Sequence, residues 1–398
     1  MSAISPDYQP SRGRLVVWGL LGAYPFGGMT WQVLHYLAVF RQLGYDVWYV
    51  EETRANSFSA DSFSPTRDYS ENLEHIRKWM HWLGLEDRWV YSPPSQPDVY
   101  LGALDRAGLQ RLYREADAAF NICGAQELRP QHADIQCLVY VETDPVQKQV
   151  YLAQGRKHWK DLFDSYDYRF TYAENINEED CKIPRTEFSW LVTRPPVYLP
   201  WWKTAGSPPP EARITSVATW KHKGKDIRWN GQVWRWSKHH GFLEYIDIPS
   251  KASLPMELAV GGIKPQDMDY LRNNNWNLRD PVQLGDPEAY RDYVSNSLAE
   301  FTVAKEQYVK PRSGWFSDRS VCYLAAARPV ITMETGFSKY IPSGEGLFGY
   351  SSKDEVWAAI DALATDYKEQ SKRALEIADE YFEASKVVSR MLTDVGLL

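Results

Sequence analysis

The chain has 398 residues, of which 44% are hydrophobic and 24% charged, the composition of an ordinary globular protein. A formal net charge of −7 argues against a large nucleic-acid footprint, which needs clustered Lys and Arg. No apolar run approaches the roughly 20 residues of a membrane span, and the polar start MSAISPDYQPSRGR does not have the pattern of a secretory signal. The length predicts two α/β domains, and four scattered cysteines predict free thiols in a reducing, cytoplasmic compartment.

The first elements alternate between strand and helix. Residues 14–20 form an apolar run typical of a buried strand, residues 31–43 carry apolar side chains at helical spacing, and residues 45–51 form the next strand. The loop before the helix contains Gly27 and Gly28. Loops at the carboxyl ends of parallel strands often contact ligands, so we expect both glycines to do so. A tight turn without a ligand is the alternative.

The alternation continues along the chain. Residues 70–85 are amphipathic, residues 118–122 and 136–141 form apolar runs, and the second of these runs leads into the polar loop Glu142-Thr143-Asp144-Pro145. We expect Asp144 at the carboxyl edge of the sheet, as a catalytic base or as a helix N-cap. Residues 194–212 are rich in proline and read as a linker between domains.

The second half repeats the alternation and carries the most informative segment. Residues 213–218 form a strand before a basic turn with Lys221 and Lys223, and residues 301–304 form another before Lys305. A Gly/Ser turn at residues 312–317 precedes a predicted helix over residues 318–327. The free N–H groups and the dipole of a helix N-terminus bind phosphate, and Arg312 adds positive charge. A strand over residues 330–333 then leads into Glu334-Thr335-Gly336.

This segment resembles the donor-binding half of the GT-B-fold glycosyltransferases that use nucleotide sugars. In the plant secondary-product transferases a His-Cys-Gly-Trp-Asn-Ser run precedes a helix that ends at a turn containing proline. Gly314, Trp315 and Ser317 match the Gly, Trp and Ser of that run, and Arg312 replaces the histidine. The acidic residue that binds the ribose in that family is replaced here by Ser320. The nearest carboxylate in the sequence is Asp318.

The N-terminal half is similar to the same enzymes, since a strand, a glycine loop, a helix, the run LGYDV and a strand open their first domain. The resemblance implies an α/β protein of the GT-B fold, with two Rossmann-like domains that face each other across a cleft and a C-terminal helix that crosses back. We expect an acceptor-side domain over residues 1–203 and a nucleotide-sugar-binding domain over residues 204–370. Residues 371–398 would pack on the first domain.

The resemblance also implies a reaction: transfer of a hexose from a nucleotide-diphosphate sugar, expected to be a UDP-sugar, to a hydroxyl of a small molecule or glycan. No metal site or further cofactor is expected. If the transfer inverts the anomeric centre, Asp144 is the expected base, with Glu142, His35 and Glu174 as the other candidates. Glu334 would bind the sugar hydroxyls. The expected donor contacts are Gly27, Gly28, Lys221, Lys305, Arg312, Ser313, Gly314, Trp315, Ser317, Asp318, Ser320, Thr335 and Gly336.

Three alternatives remain open. A DNA-modifying glycosyltransferase that acts on a hydroxymethylated base would shift duplex DNA in a gel. A non-catalytic binding protein of the GT-B type would not hydrolyse a nucleotide sugar. A sugar-nucleotide epimerase of the same two-domain form would release free nucleotide without an acceptor.

Overall fold

The computed structural model describes residues 10–203, 207–222 and 224–398. The strands of the N-terminal half are β1 (Arg14–Trp18), β2 (Asp46–Glu51), β3 (Ser57–Phe58), β4 (Pro65–Thr66), β5 (Trp89–Tyr91), β6 (Leu101–Gly102), β7 (Ala118–Ile122), β8 (Leu138–Glu142), β9 (Tyr168–Thr171) and β10 (Leu191–Val192). Its helices are α1 (Gly27–Gln42), α2 (Ser70–Trp82), α3 (Arg106–Glu115), α4 (Gln147–Ala153) and α5 (Lys157–Asp164).

Eight of these strands form one sheet in the order β10-β9-β8-β7-β1-β2-β5-β6. Its neighbouring strands are parallel except for β5 and β6. The central strands β1 and β7 are almost entirely buried, as a parallel sheet covered by helices on both faces requires. The strand order reverses beside β1, so the loops that follow β1 and β7 border a crevice.

The strands of the second half are β11 (Ile214–Thr219), β12 (Ile227–Trp229), β13 (Gln232–Trp234), β14 (Met256–Gly261), β15 (Asn277–Arg279), β16 (Ala299–Thr302), β17 (Val330–Met333) and β18 (Leu347–Tyr350). Its helices are α6 (His239–Glu244), α7 (Ile248–Lys251), α8 (Pro265–Arg272), α9 (Pro287–Asn296), α10 (Glu306–Val309), α11 (Asp318–Ala325), α12 (Lys353–Thr365), α13 (Tyr367–Ile377) and α14 (Ala384–Asp394). Six strands form a parallel sheet in the order β15-β14-β11-β16-β17-β18. This is the Rossmann strand order.

The carboxyl ends of the two sheets face each other across a cleft. Asp144 follows β8 and Lys305 follows β16, and their side chains form an ion pair of 2.8 Å. Trp315, just before α11, donates its indole N–H to the carbonyl of Thr143 at 3.0 Å. The predicted fold of two Rossmann-like domains across a cleft is therefore confirmed.

The end of the chain crosses back to the first domain, as predicted. Helix α14 packs on α1, and the Tyr45 hydroxyl donates a hydrogen bond to the Leu397 carbonyl. The predicted boundary between residues 203 and 204 lies at the edge of the described residues and stays a prediction, and Lys223 lies outside them.

The amphipathic pattern of residues 369–395 predicts one long helix, but the structure divides this segment. Helix α13 ends at Ile377, Ala378–Phe382 forms a π-helical turn, and α14 begins at Ala384. Val197, in the proline-rich segment 194–212, donates its N–H to the Phe382 carbonyl at 2.8 Å. The Val197 carbonyl accepts a hydrogen bond from the Ala384 N–H at 2.9 Å. The backbone of Val197 therefore bonds the Phe382 carbonyl and the Ala384 N–H, two groups that would bond within the helix if it were continuous.

None of the helices in the described residues is long and apolar enough to cross a membrane. The two domains also touch through α1 and α9, where Trp31 donates its indole N–H to the Pro287 carbonyl at 2.9 Å. A Cβ atom on Gly27 would lie 2.5 Å from the Cβ of Tyr290 on α9, while the nearest atom to a Cβ on Gly28 is the Tyr290 hydroxyl oxygen at 3.7 Å. This close helix contact explains the glycine at position 27 without a ligand.

Gly27→Ala should therefore destabilise the protein by about 1–3 kcal/mol, because the methyl group overpacks the contact with Tyr290. Gly28→Ala is the matched control: the methyl group has room there, and alanine is favoured over glycine in a helix by up to about 1 kcal/mol. Urea denaturation of both variants checks this. Equal stability of the two variants would show that the contact at Gly27 does not limit the packing of α1 on α9.

Candidate functional site

Lys305 lies at the centre of the cleft. Its Nζ atom is 2.8 Å from Asp144 Oδ1, 2.9 Å from the Tyr308 hydroxyl and 3.3 Å from the ring centroid of Trp236. The side chain is 14% exposed, so the ammonium is held inside the cleft rather than in solvent. Burial lowers the pKa of Lys305, although the nearby Asp144 charge acts in the opposite direction.

Asp144 is bound from the other side of the cleft by Lys305 and by the Tyr308 hydroxyl. Burial alone would raise the pKa of Asp144, but the charge of Lys305 and these hydrogen bonds outweigh it and lower the pKa to about 2. The carboxylate is therefore ionised and, while paired, a weak base. The alternative role as a helix N-cap is wrong, because α4 begins at Gln147 with Val146 as its N-cap.

Lys238 is the second cation of the cleft and was not singled out from the sequence. Its ammonium forms no hydrogen bond or ion pair with any residue that the structure describes. Burial, together with the positive charges of Arg319 and Lys305, lowers the pKa of Lys238 well below its usual value. The anions that favour its charged form are Glu300 and Asp144. A cation in this position gains stability from an added anion.

Arg319 and Lys225 complete a group of positive charges. Arg319 lies in the first turn of α11 and donates to Glu300, to the Val217 carbonyl at 2.8 Å and to Thr302 Oγ1 at 2.7 Å. Lys225 Nζ lies 4.5 Å from the ring centroid of Trp236, the ring that also contacts Lys305. We call Lys225, Lys238, Lys305 and Arg319 the cation cluster.

The cation cluster is adjacent to the N-terminus of α11. The N-cap residue is Ser317, whose side chain caps none of the first N–H groups in the described structure. Uncapped N–H groups and the positive end of the helix dipole bind anions. The cluster and the helix end together therefore provide the chemistry to hold a ligand with several negative charges.

Asp318 begins α11 and reaches the first domain. Its Oδ2 atom accepts a hydrogen bond of 2.7 Å from Gln32 on α1, and its Oδ1 atom is buried without a partner among the described residues. Burial and the Asp144 charge raise the pKa of Asp318 to about 7. This carboxyl group can therefore gain or lose a proton near neutral pH.

The turn at residues 312–317 was predicted to hold phosphate, and its first part, residues 312–315, packs against the first domain. Arg312 directs Nε to Asp180 Oδ2 at 3.1 Å. Gly314 has φ of 78°, and a Cβ atom there would lie 2.5 Å from the backbone N of Asn175. The contact between domains explains this glycine, and the pairing of Arg312 with Asp180 does not favour it as a phosphate ligand.

Four other predicted donor contacts are buried. Ser313 and Ser320 have no exposed surface, and Ser313 Oγ donates to the Tyr308 carbonyl at 3.0 Å. Thr335 is 2% exposed and donates to the Trp315 carbonyl at 2.6 Å. Gly336 has φ of 100°, a left-handed conformation that favours glycine. Ser313, Thr335 and Gly336 shape the turn before α11, whereas Ser320 lies in the first turn of α11 with its Oγ atom buried and without a partner among the described residues.

Glu334 and Lys221 lie on loops at the carboxyl edge of the second sheet. Glu334 is half-buried, and one of its carboxylate oxygens accepts the Gly336 N–H. Lys221 forms a salt bridge of 3.2 Å with Asp267 on α8 and is not bound to the cation cluster. Within the described parts of the chain, no three His, Cys, Asp or Glu side chains come together as a metal site would require.

Sequence reasoning found Lys305, Asp144 and Asp318 but missed Lys225, Lys238, Trp236 and Tyr308. The available signal was the run WRWSKHH at residues 234–240, where basic residues alternate with tryptophan. It runs from the end of β13 into the start of α6, far along the chain from the glycine-rich segment. The tertiary fold brings that run to Lys305.

Lys238→Met should stabilise the protein by about 1 kcal/mol at neutral pH, because it removes a partly buried charge that Arg319 and Lys305 repel. The pKa of Lys238 is lower in the folded state than in the unfolded state. The charge therefore destabilises the folded protein most below the folded-state pKa, and the destabilisation disappears as the pH rises toward the pKa of the unfolded state. Thermal melts from pH 6 to 10 should therefore show a gain in Tm that shrinks with pH. Lys264→Met, at an exposed position before α8, should change Tm little, and an equal gain there would contradict the argument.

The chain matches no protein-family model and no curated protein at a significant level. Its backbone is similar to solved glycosyltransferase structures. An alpha-glucosyltransferase in complex with UDP and a 13-mer DNA containing a HMU base has a TM-score of 0.57 at 12% identity, over 97% of this chain and all of that one. Anabaena HepE in complex with UDP and glucose has a TM-score of 0.55 at 12% identity, with the same coverage. AviGT4, a glycosyltransferase involved in avilamycin A biosynthesis, has a TM-score of 0.53 at 12% identity, over 96% of both chains.

Similarity at this level of identity shows a shared fold, and an activity has to be argued from the site. The matches cover both domains and the terminal helix, since they extend over 96–97% of the chain. The protein therefore has the GT-B fold of glycosyltransferases that use nucleotide sugars.

Proposed function

We propose that the protein is a glycosyltransferase that moves a hexose from a nucleotide-diphosphate sugar, with UDP as the expected nucleotide, to a hydroxyl of a small molecule or glycan. The observation that carries the proposal is Lys238, whose ammonium is unpaired within the described structure beside the charges of Arg319 and Lys305. This excess positive charge lies at the carboxyl edge of a Rossmann-type sheet, where such sheets bind their ligands. The neighbours solved with UDP have the same fold.

The reaction explains why such a charge is useful. The acceptor oxygen bonds to the anomeric carbon, the bond from that carbon to the diphosphate oxygen breaks, and its electron pair leaves with the diphosphate. Fixed cations and N–H dipoles that face the negative charge developing on the diphosphate lower the activation free energy of transfer, because they are already oriented toward that charge. Lys238, Lys305 and the N-terminus of α11 would supply them, and no metal is needed in this scheme.

The acceptor proton needs a destination. We propose Asp144 as the base, because it lies on the first-domain side of the cleft opposite the cation cluster. Asp318 is a second acid–base group in the same cleft, because its pKa is raised to about 7. Glu334 remains our proposed ligand for the sugar hydroxyls, since one of its oxygens is tied to the Gly336 N–H and the other is not.

The acceptor is proposed to be uncharged or weakly charged, because the net charge of −7 disfavours a nucleic-acid footprint. One structural neighbour was nevertheless solved with DNA that contains a HMU base. Assays for acceptors should therefore include hydroxymethylated duplex DNA beside sugars and small hydroxyl compounds. Glycosylation of the DNA would replace our proposal for the acceptor but not for the donor.

Binding of the donor can be tested by thermal shift against UDP-, GDP-, TDP- and ADP-sugars. A ligand that binds the folded state raises Tm with its concentration, and we expect the largest rise with a UDP-sugar. Lys238→Met should weaken the affinity for the best nucleotide by about tenfold or more, because it removes a charge-assisted contact worth about 1.5–3 kcal/mol. Isothermal titration calorimetry measures the change.

Lys264→Met again serves as the control and should keep the wild-type affinity. A wild-type protein that binds none of these nucleotides would refute the proposed function. Binding without transfer to any acceptor and without slow hydrolysis of the nucleotide sugar would favour a non-catalytic binding protein instead.

Glu334→Gln should slow transfer and relax the preference among donor sugars, because a neutral amide makes weaker hydrogen bonds to hydroxyls than a carboxylate does. The affinity for free UDP should stay within about twofold of wild type, since the contact is with the hexose. Glu345→Gln, which changes an exposed carboxylate near the other end of the same β17–β18 connection, is the matched control. Loss of UDP binding with an unchanged sugar preference would assign Glu334 to the nucleotide.

A further inference from the structure

The ammonium of Lys305 has three N–H donors and already makes three contacts. It contacts the Asp144 carboxylate, the Tyr308 hydroxyl and the Trp236 ring. The first of these partners is an anion and the other two are neutral. A phosphate oxygen that binds Lys305 must therefore take the position of the Asp144 carboxylate.

The pair of Asp144 and Lys305 joins the two domains. Asp144 belongs to the loop after β8, and Lys305 to the connection between β16 and α10. Tyr308 is fully buried and donates its hydroxyl to Asp144, so it holds the carboxylate on the side of the second domain. Asp144 and Lys305 are 161 residues apart in the sequence, so only the packing of the two domains brings them together.

The loop that carries Asp144 is strained. Val146 has φ of 88° and ψ of −51°, which a buried β-branched residue adopts only when surrounding contacts impose it. The Val146 N–H is held by the side chain of Gln149 at 2.7 Å, and the neighbouring Thr143 carbonyl is held by Trp315 at 3.0 Å. These contacts fix the backbone on both sides of Asp144, so its release from Lys305 needs only a rotation of its side chain, which is 48% exposed.

We propose, on the basis of the function above, that Asp144 is a built-in competitor of the donor. Its carboxylate holds Lys305 until the donor diphosphate takes its place, and the exchange releases Asp144 toward the acceptor. A released carboxylate, no longer neutralised by Lys305, takes the acceptor proton while the new bond to the anomeric carbon forms and the diphosphate leaves with its electron pair. The donor must therefore bind before Asp144 can act as a base.

The test uses UDP as the probe and Asp144→Asn as the variant. The amide keeps the shape of the side chain but does not neutralise Lys305, so UDP no longer competes with it. We expect UDP to bind about fivefold to tenfold more tightly to Asp144→Asn than to wild type, because the fraction of protein with an available Lys305 rises. A catalytic base that only contacts the acceptor would leave the affinity unchanged.

A general effect of charge must be separated from competition at Lys305. In a Lys305→Met background, Asp144→Asn should change UDP affinity by less than about twofold, because the two residues act through one contact. Asp180→Asn is the matched control, since Asp180 also links the domains but binds Arg312 and Lys339 instead. It should leave UDP affinity unchanged.

Tyr308→Phe provides a second variant that removes one hydrogen bond and retains the ring. It should tighten UDP binding about twofold to threefold by loosening Asp144. Unchanged or weaker UDP binding in both Asp144→Asn and Tyr308→Phe overturns the inference, as does equal tightening in Asp180→Asn or in the Lys305→Met background. If wild-type protein binds no nucleoside diphosphate, the proposed function itself fails, which is a separate result.

Discussion

The excess of positive charge at the carboxyl end of the second sheet is the constraint on which the rest of the site depends. Lys238 and Lys305 both have lowered pKa values because burial disfavours their charges. A buried cation is stable only with an anion or a good hydrogen-bond acceptor nearby. Lys305 has a direct partner in Asp144, whereas Lys238 forms no hydrogen bond or ion pair among the described residues and feels Glu300 and Asp144 only through their charge. The site therefore carries a local cost in stability, which is common where a protein binds charged ligands.

The two domains are set against each other by close backbone contacts. Gly27 brings α1 against Tyr290, and Gly314 brings the turn before α11 against Asn175. Because a side chain at either position would meet another residue, these glycines determine how near the two sheets can come. That distance allows Asp144 of one domain to reach Lys305 of the other. The packing at the edges of the cleft thus allows the ion pair between Asp144 and Lys305 at its centre.

The elements of the fold were largely predictable because parallel sheets leave a strong pattern. The apolar runs at residues 118–122 and 330–333 have the same bounds in the structure as β7 and β17. Short elements such as β5, β6 and the β12–β13 hairpin were missed, since two or three residues carry no periodicity. The break between α13 and α14 was also missed, because it depends on Val197, almost 200 residues earlier in the chain.

The site was less predictable, and the reason lies in side-chain direction. The sequence by itself determined that a basic residue and a glycine turn precede a helix N-terminus, and local propensities were enough for that conclusion. It could not determine that Arg312 pairs with Asp180, or that Lys238 lies beside Arg319. These pairings join residues separated by 132 and 81 positions, and a short motif contains no information about them. Only the tertiary structure, by closing one domain on the other, decided which cations are neutralised and which remain available for a ligand.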